Sequence, residues 1–270
     1  MTTKSKMKKV SSTKRLNVSE RSSSLTSKSS GLAETHAGLV FVRRFQNALA
    51  QSAVLPRGSK IIVAVSGGPD SMALLALLTR LQEKHAFQLH VAHVNYELRG
   101  RDSNRDEALV RRITHLYDLP LTTFHPRIKP VRNIEEKLRL IRYGRFEQLR
   151  KRLGFDCIVT AHNMNDVAET FLLNLLRGSG VTGLSPFQRA HSHIVRPLIY
   201  FNRLEIENFL KAEKISSRID KSNFSKRFAR NRIRHELLPF LETFNPKMVA
   251  TLAKTARIIS REAKNALLGD

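Results

Sequence analysis

Cysteine is nearly absent from this chain: among 270 residues, Cys157 is the only one. A single thiol excludes an intramolecular disulfide framework and any zinc cluster built on several cysteines. It sits in the apolar run Cys157-Ile158-Val159, the setting of a small buried side chain. Acidic residues are scarce too, 23 against 47 Lys and Arg, which leaves a formal net charge of +24. That excess is too large for a routine metabolic enzyme and points to a polyanionic partner, nucleic acid ahead of a membrane surface. No apolar run approaches the ~20 residues needed to span a bilayer, so no membrane insertion is expected. The pattern G-x-x-x-x-G-K-S/T of kinases and common ATPases is missing, and no internal repeat is evident.

What the chain does contain is concentrated after its first strand-like run. Ile61-Ile62-Val63-Ala64-Val65 feeds Ser66-Gly67-Gly68-Pro69-Asp70-Ser71, which opens into the helical run Met72 to Leu78. Two adjacent glycines let the backbone approach a bulky anion. Ser66 and Ser71 add hydroxyl donors, and the free N–H groups of the new helix favour negative charge. The arrangement predicts a phosphate cradle. Asp70 within it would repel phosphate unless a cation stood between them, so a divalent metal, most plausibly Mg²⁺, is expected.

Apolar periodicity divides the chain into three parts. Residues 1–37 form a basic, Ser-rich tail, with eight basic residues and one acidic residue up to Ser30, and are expected to be disordered. The tail has the composition of an organelle transit peptide and equally of a basic arm that touches RNA. Over residues 38–185, strands at 60–65, 88–94, 121–124 and 156–160 alternate with helices at 38–52, 71–83, 103–117, 134–153 and 166–176. That alternation predicts an α/β fold, a parallel doubly wound sheet with helices on both faces and the ligand beyond the carboxyl ends of its strands. Arg177 to Gly183 reads as a glycine-punctuated loop. Residues 186–270 are expected to form a small C-terminal helical extension, with helices at 203–212 and 248–263.

The S-G-G-x-D-S loop after a strand resembles the pyrophosphate-loop (PP-loop) signature of the N-type ATP pyrophosphatases, with the adenine nucleotide alpha hydrolase-like fold. Four further blocks resemble one family within it, the tRNA(Ile)-lysidine synthases. They are His93 to Arg99 with Ser103, Asn104 and Glu107; Glu135 to Tyr143; Thr160 to Thr170; and Asp220-Lys221-Ser222-Asn223 with Arg230 to Pro239. The likeness runs from Lys60 to about Pro239. Tyr96 stands where the family has histidine, and Asn163 and Asn165 also depart from its pattern. Asn165 leaves one carboxylate fewer, which puts a metal role at that position in doubt. The larger C-terminal domains of many family members are expected to be missing, since the sequence stops soon after the helix at 248–263.

The resemblance implies an enzyme, a ligase. With ATP and Mg²⁺, C2 of the wobble cytidine of tRNA(Ile) with a CAU anticodon would be activated as an adenylate, releasing pyrophosphate. L-lysine would then attack through its ε-amine, releasing AMP and leaving lysidine. Ser66, Gly67, Gly68, Pro69, Asp70 and Ser71 would bind ATP, with Asp70 on the metal. Asp166 and Glu169, three apart at a helix start, would act with Asp70 by holding metal or the lysine ammonium groups, although acidic residues there also serve as caps. Arg139, Arg142, Arg177, Asn223, Arg230, Arg232 and Arg234 would contact tRNA. For Arg139 and Arg142 a salt-bridged helix surface is the competing reading. From Arg218 to Arg234 there are seven basic residues and one acidic, too one-sided for an ordinary solvated face. A cytoplasmic enzyme is expected, or a stromal or matrix one if the tail is a transit peptide, and a homodimer is left open. Two rivals are a PP-loop tRNA thiolase, disfavoured by the lone cysteine, and a non-catalytic RNA-binding protein, disfavoured by the intact loop.

Overall fold

A computed structural model describes residues 35–52, 55–128, 134–184, 193–218 and 229–268. Residues 1–34 of the tail and the Asp220 to Asn223 block lie outside these residues, whereas 35–37, read as the end of the tail, are described, and the first helix already starts at His36. The first strand, β1 (Lys60–Ala64), pairs in parallel with β2 (Gln88–Val94) on one side and with β4 (Cys157–Val159) on the other. Next to β2 lies β3 (Leu121–Phe124), and next to β4 lies β5 (Ile194–Val195), giving the all-parallel order β3-β2-β1-β4-β5. The chain leaves β1 in one direction and later returns to its other side. The crevice beyond β1 and β4 is therefore the switch point at which doubly wound sheets bind ligands.

Alternation along β1 separates two cores. Ile61 and Val63 face a large cluster with α1 (His36–Ser52), α2 (Pro69–His85) and α3 (Arg101–Leu116). Ile62 faces Phe146 and Leu149 of α4 (Ile134–Leu153) on the other side of the sheet. In α2, every residue from Ser71 to Leu78 is buried, so its N-terminus is fixed rigidly at the sheet's carboxyl edge.

After β4 come α5 (Met164–Leu176) and the short α6 (Val181–Leu184). The stretch read as a loop to Gly183 thus already begins a helix. Beyond β5 follow a 3₁₀ turn (Pro197–Tyr200) and α7 (Arg203–Ala212), whose Ile206, Phe209 and Leu210 join the large core. Residues after 186 therefore complete the sheet as well as adding helices, which an all-helical extension did not anticipate. A continuous helical stretch then runs as α8 (Ala229–Arg232), a π-turn (Ile233–Leu237) and α9 (Leu238–Phe244). The widened turn precedes Pro239, which cannot donate to the carbonyl four residues back. Finally α10 (Met248–Leu268) packs Val249, Ala253 and Ala256 on α5. Among the described residues, no helix is long and apolar enough to cross a membrane.

Candidate active site

The Ser66–Ser71 loop is held by its own polar groups. The Ser66 N–H donates to Ser71 Oγ at 3.1 Å, the two hydroxyl oxygens lie 3.1 Å apart, and Ser71 Oγ donates to the Gly68 carbonyl at 2.9 Å. Gly67 adopts φ +90°, which a side chain would strain, and a Cβ there would meet the Asp106 carbonyl oxygen at 3.4 Å. Gly68 is the N-cap of α2, no side chain caps that terminus, and Pro69 opens the helix. The positive end of a 17-residue helix is thus presented at the switch point.

Asp70 Oδ1 accepts from Asn163 Nδ2 at 3.0 Å across the β1–β4 crevice. Burial and then the neighbouring Asp166 push the Asp70 carboxyl up to about 6, against the opposing pull of Arg203, the Asn163 bond and Arg234. Its ordinary value is 3.8, and the rise is chiefly the cost of holding a charged carboxylate out of water, with Asp166 adding to it. Asp70 and Asp166 supply hard oxygen donors of the kind Mg²⁺ takes. Among the described residues no group of three His, Cys, Asp or Glu converges as a metal cage, so an ion here would need phosphate and water oxygens to complete its shell. The residues fit Mg²⁺ on those terms.

Asp166 and Glu169 divide the work that their spacing assigns to them jointly. Asp166 closes a capping box: Oδ2 accepts from the Asn163 N–H at 3.1 Å, and its own N–H donates to Asn163 Oδ1 at 3.0 Å. Asn165, the other departure, accepts from the Arg203 N–H at 2.9 Å and ties α7 to α5. Glu169 is enclosed by arginines. Its side chain is 0% exposed and accepts from Arg234 at 2.6 and 2.8 Å, Arg230 at 3.0 Å and Arg203 at 3.4 Å. With no exposed surface and both oxygens taken by guanidinium groups, Glu169 has no capacity left for a metal or a lysine ammonium, and that expectation is corrected here. Asp166 pairs with the same three arginines at longer range, 3.4 to 3.7 Å, and keeps 15% of its side chain exposed.

The one-sided charge read between Arg218 and Arg234 is balanced in part by acidic residues outside that stretch. Arg230 and Arg234, four apart, turn inward to Glu169 and Asp166. Arg232, two residues from each, turns outward and pairs with Glu236 at 3.1 Å while two-thirds exposed. With Arg177, at the far end of α5, it lines an apolar groove of about 500 Å³. Eleven residues of helix separate Arg177 from Asp166, roughly 16 Å, so Arg177 is not part of the crevice. Asn223 lies outside the described residues.

The profile of the PP-loop domain family matches residues 39–241. The chain belongs to the PP-loop domain family. It is 39% identical over 215 residues to the tRNA(Ile)-lysidine synthase of Caldanaerobacter subterraneus subsp. tengcongensis, covering 77% of this chain and 46% of that protein. It is 38% identical over 236 residues to the tRNA(Ile)-lysidine synthase of Geobacter sulfurreducens, covering 85% of this chain and 49% of that protein. The chain thus spans about half the length of the curated relatives it matches. The U34-tRNA thiolase NcsA from Methanococcus maripaludis superposes with a TM-score of 0.68 over 82% of this chain and 80% of that one, at 16% identity, and so shares the fold.

Around the PP-loop, the remaining sequence blocks supply the walls of the crevice. His93, 3% exposed, hydrogen-bonds through Nδ1 to the Val65 carbonyl at 2.8 Å, and burial lowers its pKa, so it is a neutral strut under the loop. Asn95 donates to Asn104 at 3.2 Å and Glu107 at 2.9 Å, fastening the end of β2 to α3. The Tyr96 hydroxyl donates to the Leu138 carbonyl at 2.7 Å and so braces α4 instead of facing the PP-loop. His162 sits beside Thr160 Oγ1 at 2.9 Å, and Arg139 and Arg142 lie over the Tyr143 ring. Composition and spacing leave Asn163 and Arg203 unassigned as site residues. The N-x-x-D cap spacing at Asn163 and the N-x-x-E spacing at Asn202 are the signals that locate them.

Proposed function

We propose that this PP-loop protein ligates L-lysine to C2 of the wobble cytidine of tRNA(Ile) bearing a CAU anticodon. The observation that carries the reading is the likeness to proteins named tRNA(Ile)-lysidine synthase across three quarters of the chain. The site's chemistry supports it. The uncapped start of α2 with Gly67, Gly68, Ser66 and Ser71 receives the phosphates of ATP, and Pro69 fixes the entry into the helix. Asp70 would hold Mg²⁺, which when bound would supply positive charge against the triphosphate.

The cytidine C2 oxygen attacks the α-phosphorus of ATP, the bond to the β-phosphate breaks, and pyrophosphate leaves. The ε-amine of lysine then adds to C2, the C2–oxygen bond breaks, and AMP leaves as the amine loses its proton. Asp166, the carboxylate still partly open to the crevice, receives lysine's charge. Glu169 acts at one remove by aligning Arg203, Arg230 and Arg234 so that their charge opposes that building on the phosphates. Positioning and electrostatics provide the acceleration, and no single general base is required. Arg139, Arg142, Arg177, Asn223 and Arg232 are assigned to the tRNA surface, and a cytoplasmic location suits that substrate.

Thiolation is disfavoured because Cys157 is the only cysteine, buried in β4 with its thiol pushed up to about 12, chiefly by burial. The test is nucleoside mass spectrometry of tRNA(Ile) transcript incubated with the protein, ATP, Mg²⁺ and lysine. The reading expects lysidine at one position and none when lysine is omitted. Intact cytidine at the wobble position would refute it.

A further inference from the structure

A groove of about 500 Å³ lies between α1 and the 3₁₀ turn Pro197–Tyr200, lined by Arg44, Asn47, Ala48, Gln51, Tyr200 and Phe201. None of these residues belongs to the PP-loop or to the Glu169 network. Arg44, Asn47 and Gln51 follow one another at steps of three and four, so they form one stripe of α1. The neighbouring stripe, Phe41, Phe45 and Leu49, is buried in the large core. Phe201 is only 2% exposed, with its ring centroid 4.9 Å from that of Phe41 and 6.1 Å from that of Phe45, so the base of the groove is rigid. Arg44 lies over the Phe201 ring at 5.3 Å and is held there by Glu205 at 2.7 Å. Tyr200, in contrast, is 41% exposed, and Arg257 takes one face of its ring at 5.4 Å from the centroid.

The lining selects a class of ligand. Glu205 already balances Arg44, so a bare phosphate finds no free cation among the lining residues. What the groove offers is an exposed aromatic ring at one end and two amides, Asn47 and Gln51, along one side. Among the described residues neither amide has a hydrogen-bond partner. Each carries a donor and an acceptor, the pair of functions that the edge of an unpaired nucleobase also presents. The flat base stacks on tyrosine while its edge meets the amides, the usual mode of recognising single-stranded RNA. An aliphatic side chain would leave both amides unused. The groove also stands close to the candidate active site. The turn that carries Tyr200 runs directly into α7, where the Arg203 N–H donates to Asn165 at 2.9 Å and its guanidinium reaches Glu169 at 3.4 Å. Three residues of chain separate Tyr200 from Arg203, at most about 10 Å, so one RNA loop can fill both places.

We propose that the groove between α1 and Tyr200 binds one unpaired base of the substrate RNA, stacked on Tyr200 with its edge on Asn47 and Gln51, while a different nucleotide of the same RNA is modified in the crevice. The proposal rests on the RNA substrate read above. The test titrates fluorescently labelled tRNA(Ile) transcript with a CAU anticodon over a salt series. The proteins are the wild type, the Asn47→Ala, Gln51→Ala double variant, Tyr200→Ala and Tyr200→Phe. ATP and AMP are titrated without RNA. The double variant changes two exposed helix positions and leaves the core intact. It and Tyr200→Ala should each weaken tRNA binding roughly fivefold or more at every salt concentration. The slope of log K against log salt should not change, because no phosphate contact is removed. Tyr200→Phe keeps the ring and should stay within about twofold of wild type, as should ATP and AMP affinities throughout. Double-variant binding within about twofold of wild type would overturn the proposal. A flattened salt slope would also overturn it, since the groove would then hold phosphate. So would a loss of ATP or AMP affinity with tRNA binding preserved, since the base received would be that of a free nucleotide. If the wild type bound no tRNA, the functional reading would fall together with this site. Tight wild-type binding with unaffected variants removes this site alone.

Discussion

The backbone N–H of Arg218 donates to the carbonyl oxygen of Gly67 at 3.0 Å, joining the segment after α7 to the PP-loop 151 residues earlier in the chain. Its guanidinium reaches Asp106 at 2.6 Å and Asp102 at 3.2 Å, and Asp106 also takes Arg99 at 2.8 Å. Gly67, at φ +90°, is therefore clasped between α3 and the Arg218 backbone. Arg218→Ala should cost about 1–2 kcal/mol of stability and weaken ATP binding several-fold, because the backbone jaw of the clasp loses the guanidinium that anchors it to α3. Combining it with Asp106→Asn should give less than the sum of the two single effects. ATP titration and thermal melting of the four proteins check this, and strict additivity would separate the contact from the loop.

Asp70 makes stability pH-dependent in a direction opposite to that of most carboxylates. Its folded-state value near 6 lies above the ordinary 3.8, so between about pH 4 and pH 6 the unfolded chain releases a proton that the folded chain retains. Stability from this group falls as pH rises through that window and stays low above it, by up to about 2–3 kcal/mol. Asp70→Asn keeps the bond from Asn163 and removes the charge. The ligand-free variant should therefore melt higher than wild type at pH 7.5 and equally at pH 4, while losing pyrophosphate release. His93 and His162, whose lowered values lose stability as pH falls, are common to both proteins and cancel in the difference. Parallel melting curves across pH would contradict the account of Asp70 as a buried carboxylate beside Asp166.

Glu169 is the hub for three cations, and its removal leaves those charges without a counterion. Glu169→Ala should destabilise the fold by roughly 3–5 kcal/mol, the range for breaking a buried ion pair. Urea denaturation gives the value, and a loss under about 1 kcal/mol would mean that the arginines find other partners.

Sequence legibility followed the range of the interaction that fixes each feature. The bounds of β2, β3, α4 and α7 follow from local periodicity and match the structure. The starts of α2 and α5 lie two residues earlier than the apolar pattern begins, because Pro69 and the Asn163 cap set them. Strand β5 has only Ile194 and Val195, too few for an alternation to show. The Ser66–Ser71 loop is a local motif and could be read directly. The Glu169 network could not, since its arginines lie 34 to 65 residues away in sequence and meet only once α5, α7 and α8 have packed. Helical spacing does distinguish Arg230 and Arg234 from Arg232, a signal that net charge alone concealed.

That difference in facing makes a prediction for the three arginines. Arg232→Gln should lower tRNA affinity and flatten its salt dependence by about one unit with little change in melting temperature, because its pair with Glu236 is exposed. Arg234→Gln should lower the melting temperature, because it removes the shortest bonds to buried Glu169. Salt titration beside thermal melting separates the two, and identical behaviour of the variants would contradict the inward and outward assignment.

The most direct test of the proposed chemistry is the partial reaction without lysine. Protein, Mg²⁺, ATP labelled at the α-phosphate and tRNA(Ile) with a CAU anticodon are mixed, and the label on acid-precipitated tRNA is counted beside released pyrophosphate. The account predicts label on tRNA in step with pyrophosphate, discharged as AMP when lysine is added, and none with Asp70→Asn. Pyrophosphate released without tRNA, or label that never reaches the tRNA, would contradict it.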